Sequence, residues 1–379
     1  MLIKNPLTIV NQGGPTPVPS EDLELPTPAE KECYLLLDIQ PDAIDDVYFT
    51  PGQLSGNGIV CAFGTSSGGQ FVQDATIPEL NSTAGWTTYI PASKFVTTAG
   101  GRKQLIAKIY TTDSFTGFGS GTWQSIGLIR KYRANLPGAN HLSFYSSNAY
   151  AQGYALIEAE LKNGRLASNT FNGRVNLYKA KLTDVALPNN NGAENLFANC
   201  ASLEEVELSG LTFDTGKRFS TMFSGCKLLK KLPMAWLNSA SGNITVFTSM
   251  FSSCWSIFYY DLREMDFSSA TNMNGMFSSA IFKPTTIRFG DKFPAGGIPA
   301  TNAIVSPPNS ATYRPCYVTI EKTDAMLPIT TNASTLFPDS YTTVYVPDAL
   351  LATYQADTYW STLGDRLKAL SAYPGTLPA

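Results

Sequence analysis

From about residue 170 to residue 290 the apolar positions do not follow the two-residue period of a strand or the 3.6 of a helix. They return in blocks some 26 residues apart. Phe171, Phe197, Phe223, Phe251 and Phe277 mark the blocks, at intervals of 26, 26, 28 and 26 residues. Three blocks read Leu196-Phe197-Ala198-Asn199-Cys200, Met222-Phe223-Ser224-Gly225-Cys226 and Met250-Phe251-Ser252-Ser253-Cys254. A fourth, Met276-Phe277-Ser278-Ser279-Ala280, has Ala in place of Cys, and the first, around Phe171, is degenerate on both flanks. Six residues after each Phe come Leu177, Leu203, Leu229, Ile257 and then Lys283. Eleven after it come Leu182, Leu208, Met234, Leu262 and then Arg288.

Leu203-Glu204-Glu205-Val206-Glu207-Leu208 fits L-x-x-L-x-L, the leucine-rich repeat pattern. In such a unit the x-L-x-L segment is a short strand with alternate side chains turned inward. The Phe and Cys are expected on the opposite, convex wall, the ring filling one layer and the small thiol letting the next approach. One unit cannot bury its own apolar face, so stacking supplies the core. Lys283 and Arg288 at core positions predict that the array ends there, in Pro- and Asn-rich sequence over 284–315, before a strand at Tyr317–Ile320.

Residues 31–145 alternate differently. Short β-prone runs such as Tyr34–Leu37, Val47–Phe49, Gly58–Phe63, Thr87–Ile90, Gln104–Tyr110 and Trp123–Ile129 are separated by turn-rich stretches, which predicts a β-sandwich-like domain. At the other end, Thr343–Val346 reads as a strand stopped by Pro347. Asp348 is placed to N-cap a helix over Ala349–Ala356, and Trp360, Leu363, Leu367 and Leu370 follow at helical spacing. The expected class is therefore α+β, mostly β. An anchoring arm and Pro-rich linker (1–30) precede the sandwich-like domain (31–145), a leucine-rich-repeat solenoid (146–346) and a C-terminal helical cap (347–379).

The arm carries an apolar run with Leu7, Ile9 and Val10, followed by Gly13-Gly14-Pro15-Thr16-Pro17-Val18-Pro19 and Pro26-Thr27-Pro28. Leu7, Ile9 and Val10 are candidate anchor residues on a larger assembly, held away from the body by a semi-rigid spacer. The first seven residues lack the basic and apolar regions of a secretion signal, and no run of 18 apolar residues predicts a membrane span.

Charged residues make up only 15% of the chain, so Ser, Thr, Asn, Gly and Tyr must build much of the surface, and extensive contacts such as those of a homotrimer fit this. A net charge of −3 with no basic patch gives no reason to expect nucleic acid. Six cysteines without a CxxC pair, three at the repeat spacing, read as buried free thiols, and one histidine leaves little for zinc. No cofactor is expected, because no Gly-rich phosphate loop precedes a helix. The lone His141 reads as structural. Glu158 and Glu160, and Glu204, Glu205 and Glu207, read as solvated strand faces, not a hydrolytic pair. Asp38, Asp42, Asp45 and Asp46 lack the spacing of a calcium loop. The remaining candidates are Trp255, Tyr259 and Tyr260, aromatic residues suited to sugar or protein contacts. The repeat core is assigned to Phe197, Cys200, Leu203, Leu208, Phe223, Cys226, Phe251, Cys254 and Phe277.

The M-F-x-x-C-x-x-L pattern within 196–262 resembles the BspA-like leucine-rich repeat surface proteins of gut and oral bacteria. The ending V-Y-V-P-D-A-L-x-x-x-Y-x-x-x-x-x-W, Val344 to Trp360, is similar to the tail of such proteins and of related phage-encoded ones. This resemblance covers about residues 150–373 and implies an adhesin or ligand-binding module without enzymatic activity. Fewer clear copies, no secretion signal and no lipobox set this chain apart. Together with the arm, they turn the expectation towards a phage virion protein, a head or tail fibre or decoration. It would dock on capsid or tail proteins and present the repeats to host surface glycan or protein, with no membrane insertion. The alternatives are a bacterial surface adhesin and a virion-associated depolymerase.

Overall fold

The computed structural model describes residues 21–51, 54–82, 85–118, 125–144, 155–187, 191–213, 218–281, 283–306 and 314–377. The protein is mostly β with few helices. Four long strands open it: β1 (Glu32–Ile39), β2 (Val60–Ser67), β3 (Lys103–Tyr110) and β4 (Ile129–Asn135). Antiparallel pairing sets them in the order β4-β1-β3-β2. From β4 onward the sheet turns parallel. β5 (Glu158–Lys162), β6 (Lys179–Thr183) and β7 (Glu205–Ser209) add to its edge one after another, Lys131 facing Glu158, Glu158 facing Lys179 and Lys179 facing Glu205. A second, five-stranded parallel sheet follows: β8 (Tyr259–Leu262), β9 (Thr285–Phe289), β10 (Cys316–Ile320), β11 (Thr342–Val346) and β12 (Leu367–Ala369). The break between the sheets falls where the repeat places Pro233 at the position of Glu207. Proline has no N–H to donate to a ladder. The chain turns there into helix α1 (Met234–Ala240).

Behind the strands the repeat builds a wall of tight turns. Phe171, Phe197, Phe223, Phe251 and Phe277 stack in one column. Neighbouring ring centroids lie 5.5, 5.7, 6.2 and 5.5 Å apart, and the first three pairs are within 6° of parallel. Phe144, 6.0 Å from Phe171, extends the column by one member that the sequence pattern missed. Each column member donates its backbone N–H to the next rung: Phe171 to Leu196, Phe197 to Met222, Phe223 to Met250, Phe251 to Met276 and Phe277 to Ile304. The thiols complete the wall. Cys200 Sγ donates to the Phe171 carbonyl at 3.1 Å, Cys226 to Phe197 at 3.2 Å and Cys254 to Phe223 at 3.1 Å. A small, weakly polar side chain that fits between rungs and satisfies a carbonyl explains why Cys recurs here. All six cysteines are free and buried.

The turn needs left-handed backbone on both sides of the Phe. Two residues before it stand Asn195, Thr221, Ser249 and Gly275. Two after it stand Gly173, Asn199, Gly225, Ser253 and Ser279. All have φ between 52° and 77°. Gly and Asn adopt this region at least cost. At Gly225 a Cβ would also lie 2.8 Å from the Asn199 side chain.

Three expectations are corrected. Residues 31–144 do not form a sandwich that stands apart. Two ribbons, Val47–Phe49 with Thr88–Ile90 and Leu54–Gly56 with Phe115–Phe118, lie against the large sheet, but that sheet runs on through β5, past the boundary drawn at 145, and one core is continuous throughout. The array does not end at Lys283 and Arg288. Lys283 is exposed, and Phe289, not Arg288, pairs with Leu262 and takes the inward position, after which three more strands stack. Nor is the C-terminus a helical cap. Asp348 caps no helix, and its carboxylate accepts from the N–H of Ser371 at 3.1 Å and from its hydroxyl. Helix α2 (Leu351–Ala356) and the irregular turn at Trp360–Arg366 lead back into β12, where Leu367 lies in a strand. The anchor residues Leu7, Ile9 and Val10 lie outside the described residues.

Candidate functional site

Alternation turns Ala159, Leu161, Ala180, Leu182, Val206 and Leu208 into the core, which leaves a polar face along the strands. On it, charges of opposite sign meet across the parallel register. One row runs Lys131, Glu158, Lys179, Glu205, and the next Arg133, Glu160, Lys181, Glu207. The contacts include Arg133–Glu160 at 2.9 Å and Lys179–Glu205 at 3.0 Å. Each exposed pair contributes about 0–1 kcal/mol. Glu158, Glu160, Glu205 and Glu207 are thus engaged in cross-strand pairing on the solvated face.

Both ends of this face are covered by the chain itself. At the first end, residues 21–28 cross the sheet. The Asp22 side chain, 1% exposed, accepts from Arg130 Nε at 2.9 Å and lies 3.2 Å from Lys131 Nζ. Burial alone would raise its pKa, but the bonds from Arg130 and Gln104 outweigh burial and hold it below the usual carboxylate range. Leu25 fills a small second core with Tyr34, Leu36 and Ile106. Part of the sequence read as linker is therefore a fixed strap. At the far end the segment after β12 folds over the second sheet. The Tyr373 hydroxyl is 2.8 Å from Thr286 Oγ1, and its ring meets Tyr317 and Tyr345 edge-on.

The three predicted ligand residues separate. Tyr260 is fully buried, its ring 4.9 Å from Phe277 and 5.5 Å from Phe251, so it belongs to the core and not to a binding surface. Tyr259 is on the polar face, where Arg288 Nη1 donates to its hydroxyl at 2.9 Å. Trp255 is half-buried in the turn before β8, with Lys227 Nζ 4.3 Å from its ring centroid. Phe258, in the same aromatic cluster of the sequence, is 58% exposed, and Arg288, read from the repeat as a decayed core position, is buried and grips Glu321 with Nε at 2.7 Å and Nη2 at 2.8 Å. Alternation within Thr285–Phe289, read from the apolar Ile287, would have flagged Phe289 as inward and hence Arg288 as outward.

The Arg263 bonds hold Asp261 ionised below the ordinary range. Burial pushes Glu321 upward, but bonds from Arg288 and Thr319 outweigh it and leave it lowered too. A general acid for glycoside cleavage needs the opposite shift. His141 lies far along the sequence from these groups, inside the core. Its Nε2–H donates to the Asn163 carbonyl at 2.7 Å, and Nδ1 accepts from the Tyr132 hydroxyl at 3.2 Å. Burial, offset in part by the Asn163 bond, brings its pKa down to about 4. Asp38 bonds to Arg102 and Gln104, and among the described residues no three acidic, His or Cys side chains gather as a metal site. Compared with protein-family models, curated proteins and solved structures, the chain matches none of them.

Proposed function

We propose that the protein is a non-enzymatic binding and display module. It is read as a leucine-rich-repeat solenoid whose polar strand face meets a host surface glycan or protein, docked on a phage particle through its N-terminal arm. The observation that carries the binding part is the strand face itself: a rigid parallel stack, covered by the chain's own segments at both ends, with exposed aromatic and charged side chains left between them. A stack of this kind holds side chains at fixed rung spacing, which suits extended ligands. The virion setting is supported by the likeness of Val344–Trp360 to phage-encoded proteins and by the Pro-spaced apolar arm. The M-F-x-x-C pattern supports a second reading, a bacterial surface adhesin. Mass spectrometry and imaging of purified particles separate the two. Finding the chain in particles is the expected result, and its absence there would overturn the virion assignment. Binding of the intact chain to a glycan array or to host cells tests the recognition function.

A further inference from the structure

On the open stretch between the two covering segments, two successive rungs carry unlike side chains. Residues 227–231 read Lys-Leu-Leu-Lys-Lys, and residues 255–259 on the next rung read Trp-Ser-Ile-Phe-Tyr. Their juxtaposition is direct: Lys227 Nζ sits over the Trp255 ring, and Ser256 Oγ donates to the Lys227 carbonyl at 2.7 Å. Leu229 and Ile257 turn into the core together. Lys227, Lys230 and Lys231 are left exposed beside the exposed Phe258 and the half-buried Trp255 and Tyr259. The acids around them are already matched: Glu204 with Lys230, Glu205 with Lys179, Glu207 with Lys181 and Asp261 with Arg263. Among the described residues Lys227 and Lys231 enter no ion pair, so this patch holds two surplus positive charges in a chain of net charge −3.

We propose that this patch binds an acidic polysaccharide, its sugar rings lying on Phe258 and its carboxylates meeting Lys231 and Lys227, whose ammonium is held over Trp255. The inference rests on the reading of the chain as a binding module. A uronic or sialic acid polymer presents an apolar C–H face and a negative group on each sugar. An exposed aromatic ring beside ammonium groups that have no carboxylate partner complements both at once. A neutral glycan would leave the two lysines unused.

The test uses the full chain, titrated with alginate, polygalacturonate and polysialic acid, with dextran as the neutral control. At least one polyanion should bind while dextran does not, and added salt should weaken the binding, because exposed charges are screened. F258A and K231E, both at solvent-facing side chains, should each weaken it by about tenfold with the melting temperature unchanged. Equal binding of dextran, or either variant binding like the parent, overturns the proposal. A chain that ignores all three polyanions yet binds neutral glycans or a host protein refutes the acidic site and leaves the binding module standing. One that binds no glycan and no host surface refutes both.

Discussion

Thr221 tests the account of the turn wall with one side chain. It precedes Phe223 by two residues with φ of 52°, whereas its counterparts on other rungs are Asn195, Ser249 and Gly275. Left-handed backbone costs an L residue about 1–2 kcal/mol, and β-branched residues are the least suited to it. Asn tolerates the region better, so T221N should recover about 1 kcal/mol of that strain. Against this stands the hydroxyl, whose one proton is within reach of Asn195 Oδ1 and of the Ser220 carbonyl. Losing it from a half-buried site costs about 0.5 kcal/mol. The balance is a net gain of about 0.5 kcal/mol for T221N, or a melting shift of about 1–2 °C in a chain this long. T221V keeps the branched side chain and loses only the hydroxyl, and it should fall by about 0.5 kcal/mol. T221G sheds the strain but gains freedom in the unfolded chain, and it should stay near the parent, within about 0.5 kcal/mol. Thermal melting and urea unfolding of the three variants give the order. If T221N is destabilised as much as T221V, strain at this position is not what the turn stores.

Three further outcomes follow from the packing. Phe223→Ala removes a ring stacked on both sides, and it should cost about 3–5 kcal/mol in urea unfolding, with Phe223→Leu losing less. Asp22→Ala leaves Arg130 and Lys131 without their buried partner. It should cost about 3 kcal/mol and make residues 21–28 sensitive to protease, whereas an unchanged cleavage pattern would mean that Leu25 and the bonds from Leu23 to Gln104 and from Arg133 to the Leu25 carbonyl hold the strap without the ion pair. His141 is depressed to about 4, so the folded protein resists a proton that the unfolded chain accepts from about pH 6.5. Its contribution is complete above pH 6.5, drains as pH falls from 6.5 to 4 and is constant below that, at most about 3 kcal/mol in all. H141Q retains a donor for Asn163 and should flatten stability over that window. A parental pH profile in H141Q would place the titration elsewhere.

The period of the chain was enough to identify one side of the molecule. Phe197, Cys200, Leu203 and their counterparts are inward because 26-residue spacing brings like against like on successive rungs, and a ring or thiol that repeats in this way finds its own neighbour above and below. Alternation alone gave only relative parity. Tyr260, two residues before Leu262 and at the repeat position of Val206, is inward by that parity and Tyr259 outward, and the register of β8 on β9 agrees. The same register, one residue off the simple count, put Phe289 rather than Arg288 in the core and carried the stack on past the point where the repeat looked exhausted. Contacts between distant segments left no periodic trace. Asp22 meets Arg130, 108 residues away, and Tyr373 meets Thr286, 87 away. Each of these residues finds its partners only once the sheet exists to receive it. The sequence by itself thus determined the repeating wall, whose identical layers reinforce one another. Only the tertiary structure decided which stretch of the strand face stays open, because that depends on where the chain's non-repeating ends come to lie.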